Sequence, residues 1–258
     1  MDREIDIMRA AAVRAGKRAL ELAGGGFEVQ TKKDRSPVTT ADLEVNRILH
    51  EDLLGAFPDD GWLSEETADT PQRLDKKRVW IIDPIDGTKY FMRGIPQYTI
   101  SIALAEMNKP TAAVVYNPAS NELFAAMQGA GAWLNETRIQ VRDGQGDRPM
   151  ILVSPPAWER GRFDVLAAAA DCRPMGSIAY TLALVAAGQA DGAFNVDGLN
   201  EWDIGAGVLL VEESGGKAVD RTGRSLLFNQ PRTSVHGMIA GHARWHDRMK
   251  GWVALLSR

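Results

Sequence analysis

Val79-Trp80-Ile81-Ile82-Asp83-Pro84-Ile85-Asp86-Gly87-Thr88 carries four apolar residues straight into two aspartates and closes on a glycine and a threonine. An apolar run bounded by turn residues predicts a buried strand. This one ends by presenting two carboxylates and free backbone N–H groups at one point. Hard cations take oxygen ligands, and phosphates take backbone N–H groups at a helix start. The stretch therefore predicts a corner that could hold a cation beside a phosphate. Plain turn chemistry would use the same residues, since Asp, Pro and Gly all favour turns. Thr88 adds a hydroxyl where a helix could begin, suited to orienting a water or a phosphate oxygen.

Downstream of this corner the pattern is strand-like at 98–104, 111–116 and 122–127, with Asn108, Pro110, Asn117 and Pro118 as breakers between. A turn at Gly129-Ala130-Gly131 follows, and Ile139-Gln140-Val141 ends the region. Upstream, Ile5, Met8, Ala12, Ala15, Ala19 and Leu22 recur at helical spacing, and Gly24-Gly25-Gly26 predicts the stop. Lys32-Lys33-Asp34-Arg35-Ser36-Pro37 reads as a charged loop. Thr39 and Asp42 have capping-box spacing for a second helix that runs to about Ala56. The polar stretch from Arg142 to Pro149 predicts a short seam between two tightly packed halves, 1–142 and 143–258. Beyond it the reading is strand 150–153, helix 163–170, helix 178–187, strand 194–196, helix 203–213, strand 238–240 and helix 245–256. Such a mixture predicts a layered α/β fold.

The bulk numbers narrow the class. At 258 residues the chain suits one domain of two halves, and 45% hydrophobic with 25% charged residues is ordinary for a globular enzyme. A net charge of −4 without a long basic run argues against nucleic acid or a membrane surface as the partner. It leaves an anionic substrate open, because bound cations reverse the local sign. Neither a signal-peptide pattern nor a membrane-length apolar run is seen, so a reducing, cytoplasmic setting is expected. The single cysteine, Cys172, reads as a free, partly buried thiol.

Three more acidic positions, one of them the pair Glu65-Glu66, echo the corner. Glu65-Glu66 follows Trp62-Leu63-Ser64, another apolar lead-in that ends in acid, and would otherwise be a solvated pair. Asp203, in Trp202-Asp203-Ile204-Gly205-Ala206-Gly207, reads as an N-cap that can still offer one oxygen to a cation. The small residues after it allow close approach to a sheet or a substrate. Asp42 alone reads as a dipole-stabilising acid in the first turn of its helix. Other candidates fall away. His242 and His246 lack the glutamate of a metalloprotease helix, and Gly24–Gly26 lacks the strand that precedes a dinucleotide loop.

Thr40-Ala41-Asp42, Ser64-Glu65-Glu66, Asp83-Pro84-Ile85-Asp86-Gly87-Thr88 and Trp202-Asp203 with Ala206-Gly207, in this order, resemble the inositol monophosphatase superfamily of Mg²⁺-dependent, lithium-sensitive phosphatases. The resemblance spans nearly the whole chain. It implies an αβαβα sandwich with one sheet in each half, and a homodimer. It also implies two or three Mg²⁺ ions. Glu65, Asp83 and the Ile85 carbonyl would hold the first, and Asp83, Asp86 and Asp203 the second. A weaker third would lie near Glu65 and Asp42. Glu65, Thr88 and Asp42 would be catalytic, with the Thr88 hydroxyl, supported by Asp42, orienting the attacking water. Phosphate would sit at Asp86, Gly87 and Thr88, and Lys89, Gly176, Ser177 and Asp203 would contact the substrate.

The physical chemistry is consistent with such a site: clustered carboxylates repel one another, and cations remove that penalty. On substrate, Lys89, Gly176-Ser177 and Glu201-Trp202-Asp203 resemble the bacterial bisphosphate nucleotidases, which implies 3'-phosphoadenosine 5'-phosphate. Tyr90 and Thr181 depart from that branch. Inositol 1-phosphate and histidinol phosphate are the alternatives. A regulatory protein that binds a macromolecular partner through a vestigial site is the alternative of another class.

Overall fold

The computed structural model describes residues 2–32, 36–144 and 146–257. The first part of the chain runs α1 (Asp2–Gly25), β1 (Val29–Thr31), β2 (Pro37–Thr39), α2 (Thr40–Ala56), β3 (Gly61–Ser64), β4 (Arg78–Asp86), α3 (Thr88–Met92), β5 (Thr99–Glu106), β6 (Lys109–Asn117), β7 (Glu122–Met127), β8 (Gly131–Leu134) and β9 (Thr137–Ile139). The rest runs β10 (Met150–Val153), α4 (Pro155–Glu159), β11 (Asp171–Pro174), α5 (Ile178–Ala186), β12 (Gly192–Asn200), α6 (Glu201–Glu213), β13 (Lys217–Asp220), β14 (Ser234–Gly241) and α7 (Ala243–Leu256). Single 3₁₀ turns occupy Pro71–Asp75 and Asp164–Leu166.

Strands β3 to β9 form a seven-stranded sheet in sequence order, antiparallel except for the parallel β3–β4 pair. The second sheet has five strands in the order β11-β10-β12-β14-β13. The period of two in β4 sorts its side chains between two cores. Trp80 and Ile82 pack with Met8, Ala12, Val45 and Leu49 of α1 and α2. Val79 and Ile81 pack on the other face with α5 and α6, which also bury Leu152, Ala193 and Ala240 of the second sheet. The far face of that sheet, with Ile151, Phe194 and Ile239, is covered by α4, the loop after it and α7. The layers are thus α1/α2, sheet, α5/α6, sheet, α4/α7. This is the alternating sandwich that the resemblance implied.

Close packing in the middle layer rests on the small residues after Asp203. A Cβ on Gly207 would lie 2.5 Å from Leu182 of α5, and Gly205 faces Ala103 and Ile81 of the first sheet. The close approach is therefore to a helix and a sheet, not to a substrate.

Several boundaries differ from the sequence reading. Helix α1 continues through Gly24 and Gly25 and stops at Gly26, the first glycine with a left-handed φ (97°). The helix expected at 163–170 is only a 3₁₀ turn at Asp164–Leu166. Phe163 and Leu166 point inward at 3₁₀ spacing, and the chain must extend by Asp171 to pair in parallel with β10. Helix α6 begins at Glu201, so Asp203 is its third residue rather than its cap. The strands β11 and β13 were not anticipated, being four residues each with no alternating pattern. The expected seam lies between β9 and β10, and Gln145 within it is outside the described residues, as are Lys33, Asp34 and Arg35 of the charged loop.

Candidate active site

Asp83 and Asp86 are three residues apart, so on a regular strand they would face opposite sides of the sheet. They do not, because the pairing slips. Asp83 lies opposite Ser101 and Asp86 opposite Thr99, so β4 spends three residues where β5 spends two. Pro84, with no N–H to give to the ladder, sits inside this bulge. The slip turns Asp86 towards the middle layer, on the Asp83 side. There its Oδ2 accepts hydrogen bonds from Ser177 Oγ and from the Ala179 N–H at the start of α5, both at 2.6 Å.

The strand then turns through Gly87, whose φ of +97° and a neighbour 2.8 Å from any added Cβ restrict the position to glycine. Thr88 opens α3. Its hydroxyl lies 3.0 Å from Asp42 Oδ1 and 3.2 Å from the Ile85 carbonyl. Asp42 is fixed by the expected capping box: its Oδ2 accepts the Thr39 N–H at 2.7 Å and the Thr39 hydroxyl at 2.6 Å. Asp203 is held in the same way, its Oδ2 accepting the Asn200 N–H at 2.7 Å. The starts of α2, α3, α5 and α6 therefore meet at the end of β4. Their positive ends offset part of the gathered negative charge.

A cavity of about 720 Å³ opens here, lined by Glu65, Asp83, Ile85, Asp86, Gly87, Thr88, Lys89, Gly176 and Asp203 among others. Nearly all the residues singled out in the sequence are thus brought to one place. Two are not on its wall. Asp42 lies behind Thr88 with its oxygens engaged, which fits the support of Thr88 and not ligation of a third ion. Ser177 is completely buried and bonded to Asp86 and Thr99, so it cannot touch a substrate. Its reading as a substrate contact is corrected to a brace for Asp86.

The electrostatics of the cluster are unfavourable as they stand. Asp83 is 2% exposed, and no hydrogen bond reaches its Oδ1. Burial, then Glu65, Asp86, Asp203 and Asp42, push its carboxyl well above the ordinary range. Burial raises Asp86 to about 6 against the pull of Ser177 and Ala179. Asp203 is raised by burial and by Asp86. Lys32, which the sequence reading did not single out, reaches Glu65 at 2.7 Å and Glu66 at 2.5 Å. Burial lifts Glu66 to about 7 even with that ammonium beside it.

Among the described residues no three His, Cys, Asp or Glu side chains close on one point as a finished cage. The donor chemistry nevertheless fits a hard divalent ion: all oxygen, mutually repelling, with one buried carboxylate oxygen unpartnered. The sequence reading also passed over Arg93, Glu159, Arg160, Asn195 and Asp197 and gave Tyr90 no role at the site; all six line the cavity. Nothing in their local sequence distinguishes them from surface residues, and only the packing of the two halves collects them.

Comparison with known proteins bears on the family and the fold. The profile of the inositol monophosphatase family matches residues 1–254. The inositol-1-monophosphatase of Rhizobium meliloti strain 1021 is 37% identical over 231 residues, covering 85% of this chain and 86% of that protein. The Nus factor SuhB of Xylella fastidiosa strain Temecula1 is 37% identical over 256 residues, 93% of this chain and 90% of its own. Among solved structures, the IMPase of Thermotoga maritima superposes with a TM-score of 0.89 at 29% identity, over 99% of this chain and 98% of that one. Sequence profile, full-length relatives and fold coincide: the chain belongs to the inositol monophosphatase family and is a phosphomonoester hydrolase.

Proposed function

We propose that the protein is a Mg²⁺-dependent phosphatase of a small phosphate ester, with water as the nucleophile. The observation that carries this is the unpartnered Oδ1 of Asp83, buried among Glu65, Asp86 and Asp203 beside the Thr88–Asp42 pair. Glu65, Asp83, the Ile85 carbonyl, Asp86 and Asp203 would hold Mg²⁺. When bound, the metal supplies charge neutralisation for the phosphate and a lowered pKa for water. The protein's own groups do the rest. The Thr88 hydroxyl donates its hydrogen bond to Asp42, which leaves its oxygen lone pairs to accept a hydrogen bond from water and fix its direction of attack. The N–H groups of Gly87 and Thr88, at the turn, receive phosphate oxygens. Asp86 stays in position through Ser177 and the start of α5.

Two esters follow as substrates. Inositol 1-phosphate is supported by the name of the R. meliloti relative. The nucleotide bisphosphate rests on the resemblance of Lys89, Gly176-Ser177 and Glu201-Trp202-Asp203 alone, and no comparison supports it. The Nus factor name of the X. fastidiosa relative favours a second reading, a partner-binding protein, and the complete acid set weighs against a vestigial site. The test is phosphate release by purified protein with Mg²⁺ from inositol 1-phosphate, 3'-phosphoadenosine 5'-phosphate, histidinol phosphate and fructose bisphosphate. Turnover of at least one is expected. Silence on all four would transfer the function to partner binding. The same reading carries a homodimer, which sedimentation would check.

A further inference from the structure

The cavity has two ends of opposite character. Its floor is acidic, while Lys89, Arg93 and Arg160 line its outer part. Arg93 follows directly on α3 in the first half, and Arg160 follows directly on α4 in the second. Both are exposed, and among the described residues neither forms an ion pair or a side-chain hydrogen bond. Arg162, two residues further on, differs: it pairs with Asp197 at 2.9 Å and so removes that acid from the balance. On the outer wall Glu159 alone is left against three cations.

Tyr90 ties these groups together in space. A Cβ on Gly176 would fall 2.6 Å from its ring, so the ring is pressed between the halves. Tyr90 lines the cavity together with Glu159 of one half and Arg93 of the other. Pro155, Pro156 and the Tyr90 ring give the wall an apolar part, and Arg93 and Arg160 line the same cavity.

A neutral alcohol in this space would take desolvation from the cations and return no charge. The phosphate being cleaved belongs at the acidic end, where Mg²⁺ would balance it. Guanidinium groups match phosphate and carboxylate oxygens in pairs. We propose that Arg93 and Arg160, one from each half, form a subsite for a second anionic group, phosphate or carboxylate, on the alcohol portion of the ester. This rests on the phosphatase reading of the cavity and adds the class of leaving group to it.

The test uses esters matched except for the second charge, assayed with Mg²⁺. One pair is adenosine 3'-phosphate and 3'-phosphoadenosine 5'-phosphate. The other is glycerol 2-phosphate and 2-phosphoglycerate, which replaces the second phosphate by a carboxylate. In at least one pair kcat/KM is expected to be about tenfold or more higher for the doubly anionic ester, the scale of a charge-assisted hydrogen bond. The Arg93→Gln/Arg160→Gln double variant should bring the ratio close to one, chiefly through KM. It should leave turnover of the singly charged esters unchanged. A ratio near one in the unaltered protein, or one that survives in the double variant, overturns the subsite while the phosphatase reading stands. No phosphate from any of the four esters or from inositol 1-phosphate overturns both.

Discussion

At the scale of single residues, Asp83 is the point where stability and activity oppose each other. Its carboxylate is buried with an unpartnered oxygen and pressed by Glu65, Asp86 and Asp203. Asp83→Asn should remove at least about a hundredfold of the activity, the usual scale for a lost electrostatic stabiliser. In metal-free protein the same change should raise Tm, because it deletes a charge that burial disfavours. Calorimetry with and without Mg²⁺ checks both: a Tm that falls in metal-free buffer would mean Asp83 is satisfied by a partner. Thr88→Ala should lower kcat by about 10²–10⁴, the range for an aligned proton-handling group, and Thr88→Ser should restore most of it. The aspartates of this corner were legible in the sequence because strand, proline and glycine frame them within ten residues. Arg93 and Arg160 were not, because what makes them notable is the partner each lacks and the cavity they share.

At the scale of elements, the site depends on where helices begin. Helix α5 reaches across from the second half and spends its first turn on Asp86. Ser177→Ala should weaken Mg²⁺ binding severalfold and cost about 1–3 kcal/mol of stability, since a buried carboxylate oxygen loses a donor. Ser177→Thr keeps the hydroxyl and should restore both. Titration calorimetry of Mg²⁺ is the direct measure, and equal affinity in the alanine variant would show that Ser177 serves packing alone. The starts of α2 and α5 were readable from Thr39 and from the Ala/Leu-rich run after Ser177. The role of Ser177 was not, because residues 86 and 177 are brought together only by tertiary packing. The same applies to the bulge. Pro84 announces a break in the ladder, but the one-residue slip that aligns Asp86 with Asp83 is set by how β5 pairs.

At the scale of the molecule, the raised carboxyls set how stability varies with pH. Asp86 titrates near 6 in the folded state, and Glu66 and Glu201 near 7, all above the ordinary carboxylate range. Between that range and these values the folded state holds protons that the unfolded chain has released. Metal-free protein should therefore melt at higher temperature as pH is lowered from 8 towards 6. Mg²⁺ binds the deprotonated folded form and should raise Tm most at pH 8. At a hundred times its dissociation constant it should add about 2.7 kcal/mol. Scanning fluorimetry across pH, with and without Mg²⁺, reads both effects; a Tm flat in pH and in Mg²⁺ would contradict the charge cluster. The strands β4 to β7 and the helices α1, α2 and α7 followed from periodicity and turn residues. That α5 and α6 lie between the sheets did not, because an all-round apolar helix tells that it is buried and not by what.

That shared middle layer makes the protein divisible in sequence and indivisible in solution. A single backbone cut between β9 and β10 should leave the two pieces bound as one particle that still holds the cavity. Each piece produced alone would present half of a helix–sheet interface to water and should precipitate, whereas the two produced together should reassemble.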